Sequence, residues 1–167
     1  MTTLADHIER HLGGRHVAVV GVGNRLRGDD AAGSLVVERL QGEDDLAGAD
    51  DPRLIDAEQT PENYLDRLLA SAPDVVLFVD ATDLGAAPGT LRLAGMSELA
   101  QRAQSTHAPS LRLTAEILAA HGIASLLLGI QPARTALGAG LTSAVAAAVD
   151  EAAAAIAPLL DREGRHA

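Results

Sequence analysis

The 167-residue chain is 47% hydrophobic, has a formal charge of −10 and contains no cysteine. Its length is that of one domain, taken as residues 1–167, and it can bury a core without covalent staples. The missing cysteines exclude disulfides, thiolate metal sites, iron–sulfur clusters and cysteine nucleophiles. All 13 basic residues are arginine, so a P-loop lysine, a Schiff-base lysine and a serine–lysine dyad are excluded too. The negative charge and a mere two aromatic residues, Tyr64 and Phe78, argue against a nucleic-acid partner, which needs positive potential or a stacking platform.

Residues 1–16, MTTLADHIERHLGGRH, are charged throughout and lack the apolar core of a signal peptide. No apolar run reaches the roughly 18 residues expected of a membrane span, so a cytoplasmic location is expected. His16–Gly21 (HVAVVG) is β-branched and ends in glycine, which predicts a buried strand. Ala31–Leu40 follows as a helix whose apolar face holds Leu35, Val36, Val37 and Leu40. Gln41–Pro52 is acidic and glycine-bearing and is read as a surface loop. Arg53–Ala57 is a short second strand. Thr60-Pro61-Glu62 opens a helix, with Thr60 as its candidate N-cap.

Asp74–Asp80 (DVVLFVD) is the clearest strand. Ala87-Pro88-Gly89 reads as a turn before a short edge strand at Thr90–Leu93. Leu111–His121 is a helix stopped by Gly122. Ala124–Ile130 is the last strand, and Gly138–Leu160 a long alanine-rich helix with an apolar stripe of Val145, Val149, Ile156 and Leu159. This alternation predicts an α/β fold, a three-layer α/β/α sandwich around a mainly parallel sheet. The continuous apolar runs place His16–Gly21 and Asp74–Asp80 at the sheet centre.

In open α/β sheets, ligands bind beyond the carboxyl ends of the strands. Those ends lead into Gly21–Asp30, Asp56-Ala57-Glu58-Gln59, Asp80-Ala81-Thr82-Asp83 and Gln131. Ser105-Thr106-His107 precedes the helix at Leu111. Asp29, Asp30, Asp80 and Asp83 are therefore expected along one sheet edge, with His107 joining them. Carboxylates plus imidazole, without thiolate, form a hard-to-borderline set for a divalent metal, which can polarise a carbonyl or activate water. Plainer roles exist for each. Asp29 or Asp30 also fits a cap on the following helix, Asp80 a turn at a strand end, and His107 an ordinary loop histidine. His7 and His11 have the four-residue spacing of a two-histidine metal site, but no third ligand lies nearby, so they are read as a solvated helix face.

Gly21-Val22-Gly23 after a strand also invites a dinucleotide reading, with Asp56 or Glu58 toward a ribose. Position 26 is leucine where the third glycine belongs, and Asp29 and Asp30 stand where a pyrophosphate needs positive potential.

The first of these segments, Gly21-Val-Gly-Asn-Arg-Leu-Arg-Gly-Asp-Asp-Ala-Ala-Gly33, resembles the opening motif of the nickel-iron hydrogenase maturation endopeptidases. Phe78-Val-Asp-Ala-Thr-Asp-Leu-Gly85 with Pro88-Gly89 is similar to the second family motif, and Thr106-His107 with Pro109 to the third. Leu128-Gly-Ile-Gln-Pro132 is similar to the last strand of members serving hydrogen-evolving enzymes. The resemblance runs in order from about residue 16 to 150.

It implies a twisted five-stranded sheet between helices, a monomer, and Asp30, Asp80 and His107 as catalytic residues and metal ligands converging in an open cleft. The implied reaction is removal of a C-terminal extension from a hydrogenase large-subunit precursor after nickel insertion. In that reading the precursor itself supplies the nickel, and the enzyme keeps no tightly held cofactor. One segment departs from the family: Asp56-Ala-Glu-Gln-Thr60 stands where many members carry D-G-G-T/S. The alternatives of another class are a non-catalytic nickel-binding checkpoint or chaperone, and a nucleotide-binding module.

Overall fold

β-branched and aliphatic runs that are apolar on both sides form strands only where helices cover both faces of the sheet. That is the arrangement found in the computed structural model, which describes residues 1–42, 51–98 and 105–163. Strands β1 (Val17–Gly21), β2 (Leu54–Asp56), β3 (Val75–Ala81), β4 (Leu91–Gly95) and β5 (Ala124–Ile130) make one sheet in the order β2-β1-β3-β5-β4. The β1–β2, β1–β3 and β3–β5 pairs are parallel. Only β4, at the edge, runs antiparallel to its neighbour β5. β1 and β3 are interior, as their sequences predict.

Alternation along the strands divides the core in two. Val17, Val19, Val75, Leu77, Val79, Leu128 and Ile130 face a layer made by α1 (Leu4–Leu12), α2 (Ala32–Gly42) and α5 (Ser143–Glu163). Ala18, Val20, Val76, Phe78 and Leu127 face the other way, against α3 (Leu65–Ser71) and α4 (Ala108–Ala120), which contribute Leu68, Leu111 and Leu118. Each fully buried Val, Leu, Ile or Phe contributes about 1.5–3 kcal/mol over an exposed one, so the two faces supply the main driving force for folding. Within α5, the stretch Ser143–Asp161 has the length and mean hydropathy, 1.5, of a membrane-crossing helix. Its Val145, Val149, Ala152, Ile156 and Leu159 are buried in the core, so that apolar stripe is spent inside the fold.

Element boundaries differ from expectation where side chains and tertiary contacts intervene. α4 begins at Ala108, three residues early, because Pro109 sits in the first turn, where a missing N–H costs nothing. Gly122 follows that helix at φ +79°, the left-handed conformation glycine takes freely. α5 starts at Ser143 rather than Gly138, which also has φ +79°. Thr60 does not cap a helix. Its hydroxyl accepts from Asn63 Nδ2 at 3.1 Å, and a 3-10 turn, Pro61–Tyr64, precedes α3. Of the loop expected over Gln41–Pro52, residues 41–42 extend α2, and residues 43–50 lie outside those described.

The first turn of α2 is pressed onto the sheet. A Cβ at Gly33 would stand 2.0 Å from the Val79 carbonyl oxygen and 2.2 Å from that of Val22, both backbone atoms that cannot swing away. Gly33→Ala should therefore cost about 3 kcal/mol or more, in the manner of severe overpacking. Gly42→Ala, where a Cβ meets nothing within 4 Å, should change stability by less than about 1 kcal/mol. Urea denaturation of the two variants beside the parent chain measures both. Equal stabilities for the two variants would contradict this packing.

Candidate active site

The carboxyl ends of β1 and β3 lie side by side, and the chain leaves them in opposite directions, β1 toward β2 and β3 toward β5. Such a switch point opens a crevice beyond the strand ends. Asp30 reaches it from a 3-10 turn, Gly28–Ala31, that joins β1 to α2. Asp80 reaches it from the end of β3. Because Val76 and Phe78 face α3 and α4, the two-residue period turns Asp80 the same way. There it meets His107, the residue immediately before α4.

His107 Nδ1 lies 3.0 Å from Asp80 Oδ1, and His107 Nε2 lies 3.6 Å from Asp30 Oδ2. The imidazole is thus held between two carboxylates. The hydroxyls of the preceding residues complete the cluster. Ser105 donates to Asp80 Oδ2 and accepts the His107 N–H at 3.0 Å. Thr106 Oγ1 donates to Asp30 Oδ1 at 3.3 Å. The cluster is not an open cleft: Asp80, Asp30 and His107 are 0%, 4% and 6% exposed. The reason is that residues 105–107 fold over the strand ends to satisfy both carboxylates.

Burial pushes the Asp80 carboxyl above its ordinary pKa, and its hydrogen bonds with His107 and Ser105 recover only part of that shift. Burial works against the His107 cation, but the Asp80 hydrogen bond, and then the charges of Asp80 and Asp30, outweigh it and raise the imidazole. Both shifts favour the protonated forms. A divalent cation would satisfy the same excess of negative charge. Two donor atoms on one ion, each at about 2.1 Å, stand roughly 3.0–3.5 Å apart, close to the Nε2–Oδ2 separation. Asp80 Oδ1 is instead engaged at Nδ1, so among the described residues no three such groups surround a common ion position.

The other acidic residues take structural parts. Asp29 does not cap α2. It is fully buried, and Oδ2 accepts from the Ala133 and Arg134 N–H groups at 2.8 and 3.0 Å. Its Oδ1 accepts from Thr142 N–H at 2.8 Å, and the Thr142 hydroxyl also reaches it. Asp83 is exposed and closes a turn onto Gly85 N–H at 3.0 Å. Gln131 Oε1 accepts from the Leu84 and Ala86 N–H groups in that same turn. Asp56 pairs with Arg25 at 2.9 Å.

His7 and His11 are both exposed, with His11 Nδ1 2.8 Å from the His7 carbonyl. Gly21 and Gly23 allow close backbone packing. A Cβ at Gly21 would come within 2.3 Å of the Gly33 carbonyl oxygen, and one at Gly23 within 2.6 Å of that of Asp30. Sequence reasoning placed Ser105 and Asp29 near the site without their roles. A serine two residues before the histidine, and a double aspartate, are signals too common to assign either.

Burial alone would raise the Asp29 pKa, but the N–H groups of Arg134, Thr142 and Ala133, then the Thr142 hydroxyl, lower it below the ordinary carboxylate value. A carboxyl whose folded pKa is depressed stabilises the fold fully above its unfolded pKa and loses that effect as pH falls through the folded one. Asp29→Asn should therefore cost about 2–3 kcal/mol at pH 7, since its amide N–H₂ meets donors already in place. The gap between variant and parent should narrow below about pH 4. Denaturant titrations from pH 7 down to pH 3 follow it, and a gap that widens on acidification would refute the assignment.

The sequence and the fold match known proteins. The family described as hydrogenase maturation protease matches residues 35–159. The hydrogenase 3 maturation protease of Escherichia coli strain K12 is 33% identical over 112 residues, 66% of this chain and 69% of that one. The crystal structure of the nickel-iron hydrogenase maturation protease HycI from Thermococcus kodakarensis KOD1 superposes with a TM-score of 0.80 at 32% identity, covering 93% of this chain and 99% of that one. The maturating endopeptidase HybD from E. coli shares the fold, with a TM-score of 0.72 at 24% identity over 89% and 94% of the two chains. With a family match across most of its length and a sheet that superposes on these enzymes, the chain belongs to the hydrogenase maturation protease family and is an endopeptidase.

Proposed function

We propose that this enzyme removes the C-terminal extension of a nickel-iron hydrogenase large-subunit precursor after nickel insertion, and that Asp30, Asp80 and His107 engage the nickel carried by that precursor. The observation that supports this most is the convergence of two carboxylates and one imidazole at the switch point. Asp30 Oδ2 and His107 Nε2 are the donor atoms that turn toward each other. Asp80 holds the imidazole by Nδ1, which fixes Nε2 as the free nitrogen and raises its basicity, as carboxylates behind metal-bound histidines do.

So sparse a set binds a free ion weakly, whereas a nickel already ligated by the precursor needs only to be completed. Recognition of the cargo then brings the scissile peptide beside the cluster, and positioning supplies much of the rate. The nickel belongs to the substrate; the protease contributes the donor atoms and the orientation, and a water adds across the scissile bond, its oxygen to the carbonyl carbon and its proton to the departing amine. The likeness of the last strand to members serving hydrogen-evolving enzymes, and the 33% identity to a hydrogenase 3 maturation protease, support a precursor of the hydrogen-evolving type. The proposal includes a monomer acting in the cytoplasm.

Asp30→Asn and Asp80→Asn remove charge but keep shape. Each should lower processing of nickel-loaded precursor by about 100-fold or more. Neither should lower the melting temperature, because an amide in so buried a place relieves desolvation. Precursor made without nickel, with chelator present, should stay intact. Mass measurement of the released C-terminal fragment reads all three cases. Equal release from nickel-loaded and nickel-free precursor would show that nickel is not the signal.

A further inference from the structure

The loops that follow β1 and β5 are laced together at the rim of the site. Leu26 O accepts the Gly138 N–H, and Arg134 O accepts the Asp29 N–H, both at 2.8 Å. Arg27 Nη1 donates to Thr135 O at 3.4 Å. The lacing puts Leu26 and Leu137 on one stretch of surface, 69% and 70% exposed, and they are two of the four large hydrophobic residues that stand out among those described. Arg27 and Arg134 flank them. Neither guanidinium meets a carboxylate among the described residues, whereas Arg25 beside them is tied to Glu38 and Asp56. The carboxylate beneath, Asp29, is buried, and its oxygens are filled by N–H and O–H donors. Residues 24–28 and 131–140 contain no acidic residue, although the chain holds 23 of them.

This patch adjoins the cluster. The Arg27 carbonyl accepts the Asp30 N–H at 3.0 Å, so the basic, apolar rim begins one turn from the proposed nickel contact. A strongly acidic protein that, among the described residues, leaves two arginines without a carboxylate partner beside two solvated leucines presents a complement to an acidic, apolar partner. We propose that this rim docks a segment of the precursor in which carboxylate side chains alternate with apolar ones, and that the contact selects the substrate. The arginines steer and orient the segment, and the leucines give it apolar surface to bury. The proposal rests on the precursor-processing reading above.

Two double variants separate the contributions: Leu26→Ser with Leu137→Ser, and Arg27→Glu with Arg134→Glu. Arg27→Gln with Arg134→Gln serves as a milder charge control. All change exposed side chains, and melting curves confirm folding before kinetics are read. With nickel-loaded precursor, each of the first two variants should raise KM about tenfold while kcat stays within about twofold of the parent. The parent KM should rise with salt, and the charge-reversed variant should lose that dependence.

Unchanged KM in both double variants, with the parent enzyme active, would overturn docking at this rim and leave the processing reading standing. A parent enzyme that releases no fragment would overturn the processing reading, and this surface role with it. Sedimentation covers the remaining occupant: a parent dimer that Leu26→Ser with Leu137→Ser converts to monomer would assign the patch to self-association and overturn the proposal.

Discussion

A single buried carboxylate organises the working edge of this protein. Asp29 sits beneath the loops that follow β1 and β5 and accepts from three backbone N–H groups and one hydroxyl drawn from residues 133, 134 and 142. An uncompensated charge at that depth would cost several kcal/mol. With every oxygen engaged, the same charge becomes the anchor that fixes where the 133–142 segment lies, and hence where α5 can start. Its neighbour Asp30 is thereby presented to the crevice from a fixed turn. The glycines beside it tighten the arrangement, since Gly23 lets the backbone approach the Asp30 carbonyl and Gly33 lets α2 rest on Val22 and Val79.

The second constraint is electrostatic. Asp30, Asp80 and His107 come from three separate parts of the chain and crowd two carboxylates around one imidazole, nearly out of reach of water. That arrangement contributes little to stability by itself, because the desolvation of buried ions offsets their attraction. What it provides is a place where positive charge is wanted. Both the Asp80 carboxyl and the His107 imidazole are shifted toward their protonated forms. Ser105 and Thr106 serve this end by giving each carboxylate a hydroxyl donor that costs no charge.

One departure from the family pattern has a clear local reading. Glu58 stands at the second glycine position of the D-G-G-T/S segment, and its φ is +51°. Glu58 adopts this left-handed conformation with a side chain, held by the Glu58 N–H to Asp56 Oδ1 at 3.1 Å and by Gly23 N–H to the Glu58 carbonyl at 2.8 Å. A backbone shape that glycine grants freely is supported here by hydrogen bonds. Asp56, drawn into the pair with Arg25, is part of that support rather than of the Asp30–Asp80–His107 cluster.

Much of this was legible in the residues alone. The apolar runs at 16–21 and 74–80 named the central strands, because a strand covered on both faces can be apolar at every position. Strand-ending Asp80, the Gly21–Gly33 segment and His107 marked the site, because parallel strands deliver their carboxyl ends to one edge. What a linear pattern cannot contain is the partner of each polar group. Asp29 and Asp30 are adjacent and chemically identical, yet one binds backbone 104 residues away and the other faces an imidazole. Asp83 looked like a member of the cluster and turned out to close its own turn. Burial of the site, the start of α5 and the rim of Leu26 and Leu137 were likewise decided only when loops distant in sequence packed together. Local propensity and periodicity are properties of the chain, whereas hydrogen-bond partners and solvent exposure exist only in three dimensions.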